Sequence, residues 1–457
     1  MLKEYRPEVI TKLKTPPGRL ILLETMISRV DLAMERDPAK SHEQGPSMLK
    51  RQVGIIALFV VAVAGLHAAQ PAPSGFVTRS GSRLMLGGRE YRAIGVNHPD
   101  LFGNYIGTII RQTTAHGTPE QDRQNAITSV LEAERNGIAF IRFWATGVWP
   151  VDQKLYFDNP AVYWARMDEL FALCRTHHVR LVPSIFANGG LWADLSKEPK
   201  QAMLDPRSKT FQAMHKYARE IVSRYKNDSN ILQWEIGNEY FLGADLPVAR
   251  EAQDPKLVQA MGVKPQRVPE DAMTFEMLRQ FYIEMVTFIK SNDRNHMVTS
   301  GDAGPRPESW ELKVSYPQTR WRKDTLREYL ADLLGSQPDP LDTMSIHYYG
   351  SLTFIDPDGS VAGLSSLEQL RCMVRAIHAA NTPVFIGEFG NTKPTLAADK
   401  QSLHPLAALD LIEQENVSLT CIWAWYFPWQ PDNDLRADTH PALLKRVQAY
   451  NKKFAGL

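Results

Sequence analysis

Two apolar segments of the sequence carry a glutamate at or near their last residue, where buried strands would end. The segment ILQWEIGNE (231–239) ends in Asn238 and Glu239, and the segment TPVFIGEFG (382–390) carries Glu388 close to its end. Paired carboxylates across a cleft hydrolyse glycosidic bonds: a protonated carboxyl donates to the leaving oxygen, and an ionised one attacks the sugar carbon. The two segments therefore predict a glycosidase, provided that the fold brings the two glutamates together.

The pattern of the rest of the chain predicts such a fold. Eight apolar runs alternate with segments of helical periodicity. The runs lie near 90–97, 138–145, 180–187, 231–239, 296–302, 342–349, 382–390 and 418–427, and the helical segments near 119–136, 160–178, 205–226, 269–292, 322–335, 364–379, 404–415 and 440–454. Eight pairs predict an α/β fold, the (β/α)8 TIM barrel. A doubly wound open sheet is disfavoured because neither GxGxxG nor GxxxxGK[ST] follows the first run.

One catalytic domain is predicted to span residues 76–457. Its first segment, FVTRSGSRLMLGG (76–88), has the turn signals of a β-hairpin, which we expect to close the bottom of the barrel. The stretch 240–268 is long for a compact barrel and predicts long βα loops that wall a cleft. In a barrel of this kind, active sites lie at the carboxyl ends of the strands, where both glutamates would be.

Composition excludes several classes of protein. Apolar residues make up 44% of the 457 residues and charged residues 23%. This composition is typical of globular proteins and argues against a disordered, fibrous or multi-span membrane protein. The formal net charge of +1 gives no basic field for nucleic acid, so no nucleic-acid partner is expected. Three cysteines are too few for a disulfide scaffold.

The beginning of the chain is predicted to lie outside the fold. Lys50 and Arg51 precede the apolar stretch VGIIALFVVAVAGLHAA (53–69), and this pattern indicates a secretory signal peptide over residues 48–69. Residues 1–47 are then interpreted as a disordered extension, or as a stretch that is not translated because Met48 is the true initiator residue. An uncleaved signal anchor is the alternative. We expect a secreted protein, extracellular or periplasmic, without a membrane contact after signal cleavage.

Five motifs in order make the sequence resemble glycoside hydrolase family 5. They are IRFW (141–144), WEIGNE (234–239), HYY (347–349), GEFG (387–390) and WAWYF (423–427), and the resemblance extends over about residues 76–450. It implies a retaining mechanism with a covalent glycosyl-enzyme and no metal or organic cofactor. The two carboxyl groups should then lie about 5–5.5 Å apart.

The resemblance also assigns roles to the residues of these motifs. Glu239 corresponds to the general acid/base and Glu388 to the nucleophile. Asn238 corresponds to the residue that binds the sugar 2-hydroxyl, and Arg142 to the arginine that keeps the nucleophile ionised and in place. A cation beside a carboxylate favours its charged form, in agreement with that role.

Further motif residues are assigned to substrate binding. His347 and Tyr349 correspond to the pair near the two carboxylates, and Trp144 belongs to the IRFW motif. Trp425 is chosen over Trp423 as the aromatic floor beneath the sugar that is cleaved.

Other polar residues near strand ends have two possible interpretations. Asn97 and His98 follow the first run and could line the pocket or form a turn, and the same alternatives apply to Asn188. Glu235 is interpreted as a buried carboxylate paired with a cation, and Asp302 as a turn residue.

Tryptophans in the predicted loops favour a polysaccharide or oligosaccharide substrate, because sugar rings stack on exposed aromatic rings. They are Trp149, Trp192, Trp310, Trp321 and Trp429. The resemblance is greatest to the β-mannanase branch, so the sequence predicts an endo-β-1,4-mannanase. The alternatives are an endo-β-1,4-glucanase (cellulase), a transglycosylase and a non-catalytic carbohydrate-binding barrel.

Overall fold

The structure, a computed structural model, describes residues 75–107, 118–248, 255–350, 352–390, 403–428 and 430–456. The predicted extension (1–47) and signal peptide (48–69) lie outside these ranges.

A small antiparallel sheet begins the described chain. Its strands are β1 (Val77–Ser80), β2 (Arg83–Leu86) and β3 (Arg89–Glu90), in the order β1-β2-β3. Val77 and Leu84 pack in one apolar cluster with Phe140, Phe385 and Leu419, which lie at or near the beginnings of barrel strands. The predicted hairpin is therefore present, with one additional short strand, and it covers the bottom of the barrel.

Eight parallel strands form the barrel, as the alternation of apolar and amphipathic segments predicted. They are β4 (Ala93–Asn97), β5 (Phe140–Trp144), β6 (Arg180–Phe186), β7 (Gln233–Gly237), β8 (Met297–Thr299), β9 (Met344–Tyr348), β10 (Val384–Phe389) and β11 (Leu419–Ile422). Their order is β8-β7-β6-β5-β4-β11-β10-β9. A bridge between Thr299 and Thr343 joins the two ends, and the Asp342 amide donates to the Val298 carbonyl at 2.9 Å.

Helices surround the strands at nearly the predicted positions. They are α1 (Leu101–Ile106), α2 (Pro119–Arg135), α3 (Lys154–Asp158), α4 (Pro160–Thr176), α5 (Leu191–Ser196), α6 (Lys209–Tyr225), α7 (Pro255–Met261), α8 (Phe275–Asn292), α9 (Ser309–Ser315), α10 (Leu326–Ser336), α11 (Ser366–Ala379), α12 (Pro405–Gln414) and α13 (Pro441–Phe454). Capping boxes at Thr118, Thr325 and Ser365 fix the starts of α2, α10 and α11. Among the described helices, none has the length and apolar character needed to cross a membrane.

Long segments follow the strands at the top of the barrel, as predicted. The segment between β7 and α8 contains the 3-10 helices Tyr240–Gly243 and Pro269–Asp271 as well as α7. Lys264 anchors it, because its ammonium group donates to the Glu198 carbonyl at 2.7 Å and to the Asp271 carboxylate at 2.8 Å. The contact with Glu198 holds the segment against the loop that follows β6, and the contact with Asp271 joins two parts of the segment.

The last helix is attached to the first barrel strand by one buried side chain. The Asn451 amide accepts from the Ile94 N–H at 2.8 Å and donates to the carbonyls of Ile94 and Gly137, each at 2.8 Å. Asn451 is fully buried. Loss of its side chain would leave buried backbone groups without these partners, which is costly.

We expect Asn451→Ala to lower the free energy of unfolding by about 2–4 kcal/mol, measured by urea denaturation. Asn292→Ala is the control, since its amide also donates to a carbonyl, that of Phe288, but lies nearer to solvent. We expect this control to lower the free energy of unfolding by less than about 1 kcal/mol. Equal, small losses from both variants would contradict the structural role of Asn451.

Candidate active site

The two predicted catalytic glutamates meet above the barrel. Glu239 lies just beyond β7, and Glu388 is the fifth residue of β10. One oxygen of each carboxylate and one ring nitrogen of His347 lie within 4.8 Å of one another. This separation agrees with the about 5–5.5 Å of retaining glycosidases and is shorter than the about 6.5–9.5 Å of inverting ones.

Arg142 connects the groups beneath the two glutamates. Its Nε donates to both oxygens of Glu235 at 2.9 and 2.8 Å, and its Nη1 donates to Asn97 and to Glu388, each at 2.8 Å. Its Nη2 donates to Asn238 at 2.6 Å. The predicted contact of Arg142 with Glu388 is therefore present, and Glu235 is, as expected, a buried carboxylate paired with a cation.

Glu388 is held on both of its oxygens. Oε1 accepts from Arg142, and Oε2 accepts from the Tyr349 hydroxyl at 2.6 Å. Burial and the adjacent Glu388 charge raise the pKa of Tyr349 well above its usual value, so that this hydroxyl remains a donor. The two donors direct the carboxylate and stabilise negative charge on it, as a nucleophile requires.

Glu239 has a different environment. Its side chain is 32% exposed, and burial raises its pKa above the usual range, an effect that the Arg142 charge partly opposes. A carboxyl group with a raised pKa keeps its proton to higher pH, which suits a general acid. The predicted difference between the two glutamates is thus visible in their contacts.

The site holds three carboxyl groups and one buried guanidinium. Glu235, Glu388 and Glu239 surround the single guanidinium of Arg142. His347 adds no positive charge near neutral pH, because burial lowers its pKa to about 4. Its Nδ1 lies 2.9 Å from Glu239 and 3.4 Å from Glu388, so that the ring contacts both carboxyl groups.

The same three groups approach closely enough to hold a metal ion. Glu388 Oε1, however, already accepts from Arg142 at 2.8 Å. The guanidinium supplies positive charge at this place and would repel a cation. The chemistry of the site can therefore be derived from the side chains alone.

Asn238 and Trp144 lie near Arg142, one through a hydrogen bond and the other through its position on β5. The Asn238 carbonyl oxygen accepts from Arg142, which leaves the amide nitrogen as a donor for another group. Trp144 is half-buried and is two residues from Arg142 on β5, hence on the same side of the strand. Their assignment to substrate binding stays a prediction.

The prediction for Trp425 is wrong. Trp425 is 0% exposed, and its indole N–H donates to the Ser129 carbonyl at 2.9 Å, inside the helix layer. Trp423 retains 9% exposure and lies next to the end of β10, since its N–H donates to the Phe389 carbonyl at 2.8 Å. Only Trp423 of this pair has surface that a sugar can contact.

Of the two roles predicted for His98, substrate binding in the pocket is wrong. Its Nδ1 lies 3.0 Å from the Ser129 hydroxyl, and burial lowers its pKa to about 3. The neighbouring Asn97 points into the barrel instead, where it accepts from Arg142 and donates to the Gly387 carbonyl at 2.9 Å. His98 lies one residue beyond the end of β4 and contacts Ser129 of α2, so it is directed away from the site.

Asn188 forms a turn, one of its two predicted roles. Its amide donates to the Val148 carbonyl at 2.7 Å and accepts from the Gly190 N–H at 2.8 Å. These contacts shape the loop after β6 and use both ends of the side-chain amide.

The loop tryptophans have different environments. Trp192 is buried and packs on Tyr217 with a centroid distance of 5.3 Å, whereas Trp321 is 59% exposed. Trp149 and Trp310 are half-buried, and Trp429 lies outside the described residues. Packing therefore explains Trp192, and Trp321 has the most surface available for a ligand.

The sequence of the chain is similar to those of known proteins. The family model described as Cellulase (glycosyl hydrolase family 5) matches residues 151–427. Mannan endo-1,4-beta-mannosidase 2 from Oryza sativa subsp. japonica is 25% identical over 363 residues, which are 71% of this chain and 69% of that protein. Probable mannan endo-1,4-beta-mannosidase C from Aspergillus terreus is 32% identical over 93 residues, 20% of this chain and 19% of that protein.

Solved structures show the same fold. The endo-1,4-beta-mannanase from Rhizomucor miehei superposes with a TM-score of 0.56 at 16% identity, over 82% of this chain and 99% of that one. The endo-beta-1,4-mannanase from Thermotoga petrophila gives 0.51 at 15% identity, over 81% of this chain and 78% of that one.

The environments of the two tryptophans predict opposite effects of one substitution. We expect Trp423→Leu to lower kcat/KM on a β-linked oligosaccharide by about tenfold, equivalent to one lost contact of about 1.4 kcal/mol, with little change in Tm. We expect Trp425→Leu to lower Tm because a buried ring and its hydrogen bond are lost, and to leave kcat/KM within about threefold. A larger fall of kcat/KM in Trp425→Leu than in Trp423→Leu would contradict the conclusion that Trp423, and not Trp425, can contact the sugar.

Proposed function

The chain belongs to glycoside hydrolase family 5 and is a retaining O-glycosyl hydrolase, and from this membership we propose that it is an endo-β-1,4-mannanase that cleaves mannan chains internally. The observation that carries the catalytic proposal is the approach of Glu239 and Glu388 within 4.8 Å, with different partners for each. The choice of mannan is supported by the relative from Oryza sativa subsp. japonica, whose name states that activity and whose match covers most of both chains.

In the proposed first step, Glu388 attacks the anomeric carbon and the bond from that carbon to the leaving oxygen breaks. Glu239 gives its proton to that oxygen, and a covalent glycosyl-enzyme ester forms on Glu388. Arg142 and Tyr349 hold the attacking carboxylate in direction through their hydrogen bonds. Asn238, fixed by Arg142, is available for the 2-hydroxyl of the sugar.

In the proposed second step, Glu239 acts as a base. Its carboxylate takes a proton from water, the oxygen of that water attacks the anomeric carbon, and the ester bond to Glu388 breaks. Esterification removes the negative charge of Glu388, which lowers the pKa of the neighbouring Glu239 and favours its ionised form. One residue can therefore serve as acid and then as base.

The specificity is tested with a reducing-sugar assay on mannan, glucomannan, carboxymethyl cellulose and xylan. We expect the highest kcat/KM on mannan, and mannotriose and longer fragments as early products because cleavage is internal. Highest activity on carboxymethyl cellulose would contradict the mannan proposal and favour the cellulase alternative. Products longer than a mannotetraose substrate would indicate transglycosylation.

Variants of the two glutamates provide the controls for this assay. Glu388→Ala should abolish turnover of mannan. With dinitrophenyl β-mannobioside, whose leaving group needs little protonation, Glu239→Ala should still form the glycosyl-enzyme. Azide, which needs no general base, should then restore turnover and give a β-configured mannobiosyl azide. Unchanged activity of Glu388→Ala on mannan would contradict its role as nucleophile.

We further propose that residues 48–69 direct secretion, because a basic pair precedes an apolar stretch that ends in small residues. We expect cleavage after Ala64 or near Ala69. Amino-terminal sequencing of protein recovered outside the cytoplasm tests this proposal, and an intact residue 1 in that protein would contradict it.

A further inference from the structure

Asp302 is a buried acid that lies directly behind the turn carrying Glu239. It is 0% exposed and follows β8. Its Oδ1 accepts from the Phe241 N–H at 2.9 Å, two residues beyond Glu239. Its own N–H donates to the Ser300 hydroxyl at 3.1 Å, and that hydroxyl donates to Gln337 at 2.7 Å. Ser300 therefore holds the backbone of Asp302, and the Asp302 side chain holds the Glu239 turn.

The Glu239 turn needs such support. Glu239 has a φ of 57°, in the left-handed region that residues with a Cβ adopt at a cost. This backbone conformation sets the direction of the side chain toward His347 and Glu388. A residue in such a conformation stays there only when neighbouring groups fix it.

The segment after β8 supplies those neighbouring groups. The Ser300 carbonyl accepts from the Gly237 N–H at 2.9 Å, and the Gly301 carbonyl accepts from the Glu239 N–H at 3.1 Å. Gly301 has a φ of +79°, and a Cβ there would lie 2.0 Å from the Gly237 carbonyl oxygen. The two segments are thus pressed together, and Asp302 provides the last contact of the series.

Asp302 also places a titratable group near the site. Burial raises its pKa to about 7, and the charges of Glu239 and Glu235 add to this effect. Its Oδ2 and the Tyr282 hydroxyl have no well-aligned hydrogen-bond partner among the described residues, although they face each other closely enough for Tyr282 to lower the pKa of Asp302. A simple turn would not need a carboxyl group at this costly place.

We propose that Asp302 is a positioning residue for the acid/base group: its carboxyl holds the Phe241 N–H and thereby fixes the direction from which Glu239 gives and takes a proton. Asp302 does not contact the reacting atoms and acts only through Glu239. The proposal rests on the acid/base role of Glu239 in the proposed function.

If Asp302 positions Glu239, its substitution should lower kcat/KM by an amount that depends on how much protonation the leaving group needs. Asp302→Ala removes the acceptor of the Phe241 N–H. We expect kcat/KM on mannotetraose, whose leaving oxygen needs the proton, to fall by about tenfold or more. On dinitrophenyl β-mannobioside, which needs little protonation, kcat/KM should stay within about threefold of the unmodified enzyme.

Conservative variants distinguish the loss of the hydrogen-bond acceptor from a general loss of structure. Asp302→Asn keeps an acceptor for the Phe241 N–H and should retain kcat/KM within about threefold on both substrates. If Asp302→Ala does not fold, Asp302→Ser replaces it, because its shorter side chain does not reach that N–H. A loss in Asp302→Asn as large as in the shortened variant, or equal losses on both substrates, would overturn the proposal.

Two further variants complete the experiment. Asp245→Ala is the matched control, because Asp245 is also a buried acid that accepts a backbone N–H, that of Phe275 at 3.2 Å, but does not hold the Glu239 turn. This variant should have a lower Tm, and any fall in its kcat/KM should be the same for both substrates. Glu239→Ala should show that dependence most strongly. If Glu239→Ala lacks it, the proposed function fails; if only Asp302→Ala lacks it, the positioning proposal alone fails.

Discussion

The guanidinium of Arg142 is the group on which the arrangement of the site depends. It donates to Glu235, Asn97, Asn238 and Glu388, which come from three different barrel strands and one strand end. A buried cation with this many charged and polar acceptors is stable only where all of them are present, because an unpaired buried charge is costly. The closed barrel brings them together, and the buried cation in turn orients both Glu388 and Asn238, the residue beside Glu239.

The arrangement of strands and helices could be predicted from the sequence because apolar periodicity and turn residues encode it locally. Which side of the barrel a side chain faces could not. Asn97 and His98 are adjacent polar residues, and the sequence does not show which one faces inward. Trp423 and Trp425 lie beyond Ile422, where β11 ends, so the strand rule that places i and i+2 on one side does not apply to them.

Other parts of the site depend on contacts between residues that are distant in the sequence. Glu388 could be predicted because a carboxylate near the end of an apolar strand is specific to the chemistry, whereas Arg142 was predicted through the resemblance of its motif to the family. The supporting contact of Asp302 with Phe241 involves a backbone N–H, which any residue type supplies. A search for side-chain motifs therefore misses it, as it misses the Asn451 contact with Ile94.

The small sheet at the bottom of the barrel also determines how the molecule can be attached to something else. Val77 lies in the same apolar cluster as the barrel bottom, and Ala455, just after the last helix, packs against that cluster. Both ends of the described chain thus leave the domain on the face opposite to the two glutamates. A domain or solid support joined to either end would leave the cleft turned outward and open to solvent.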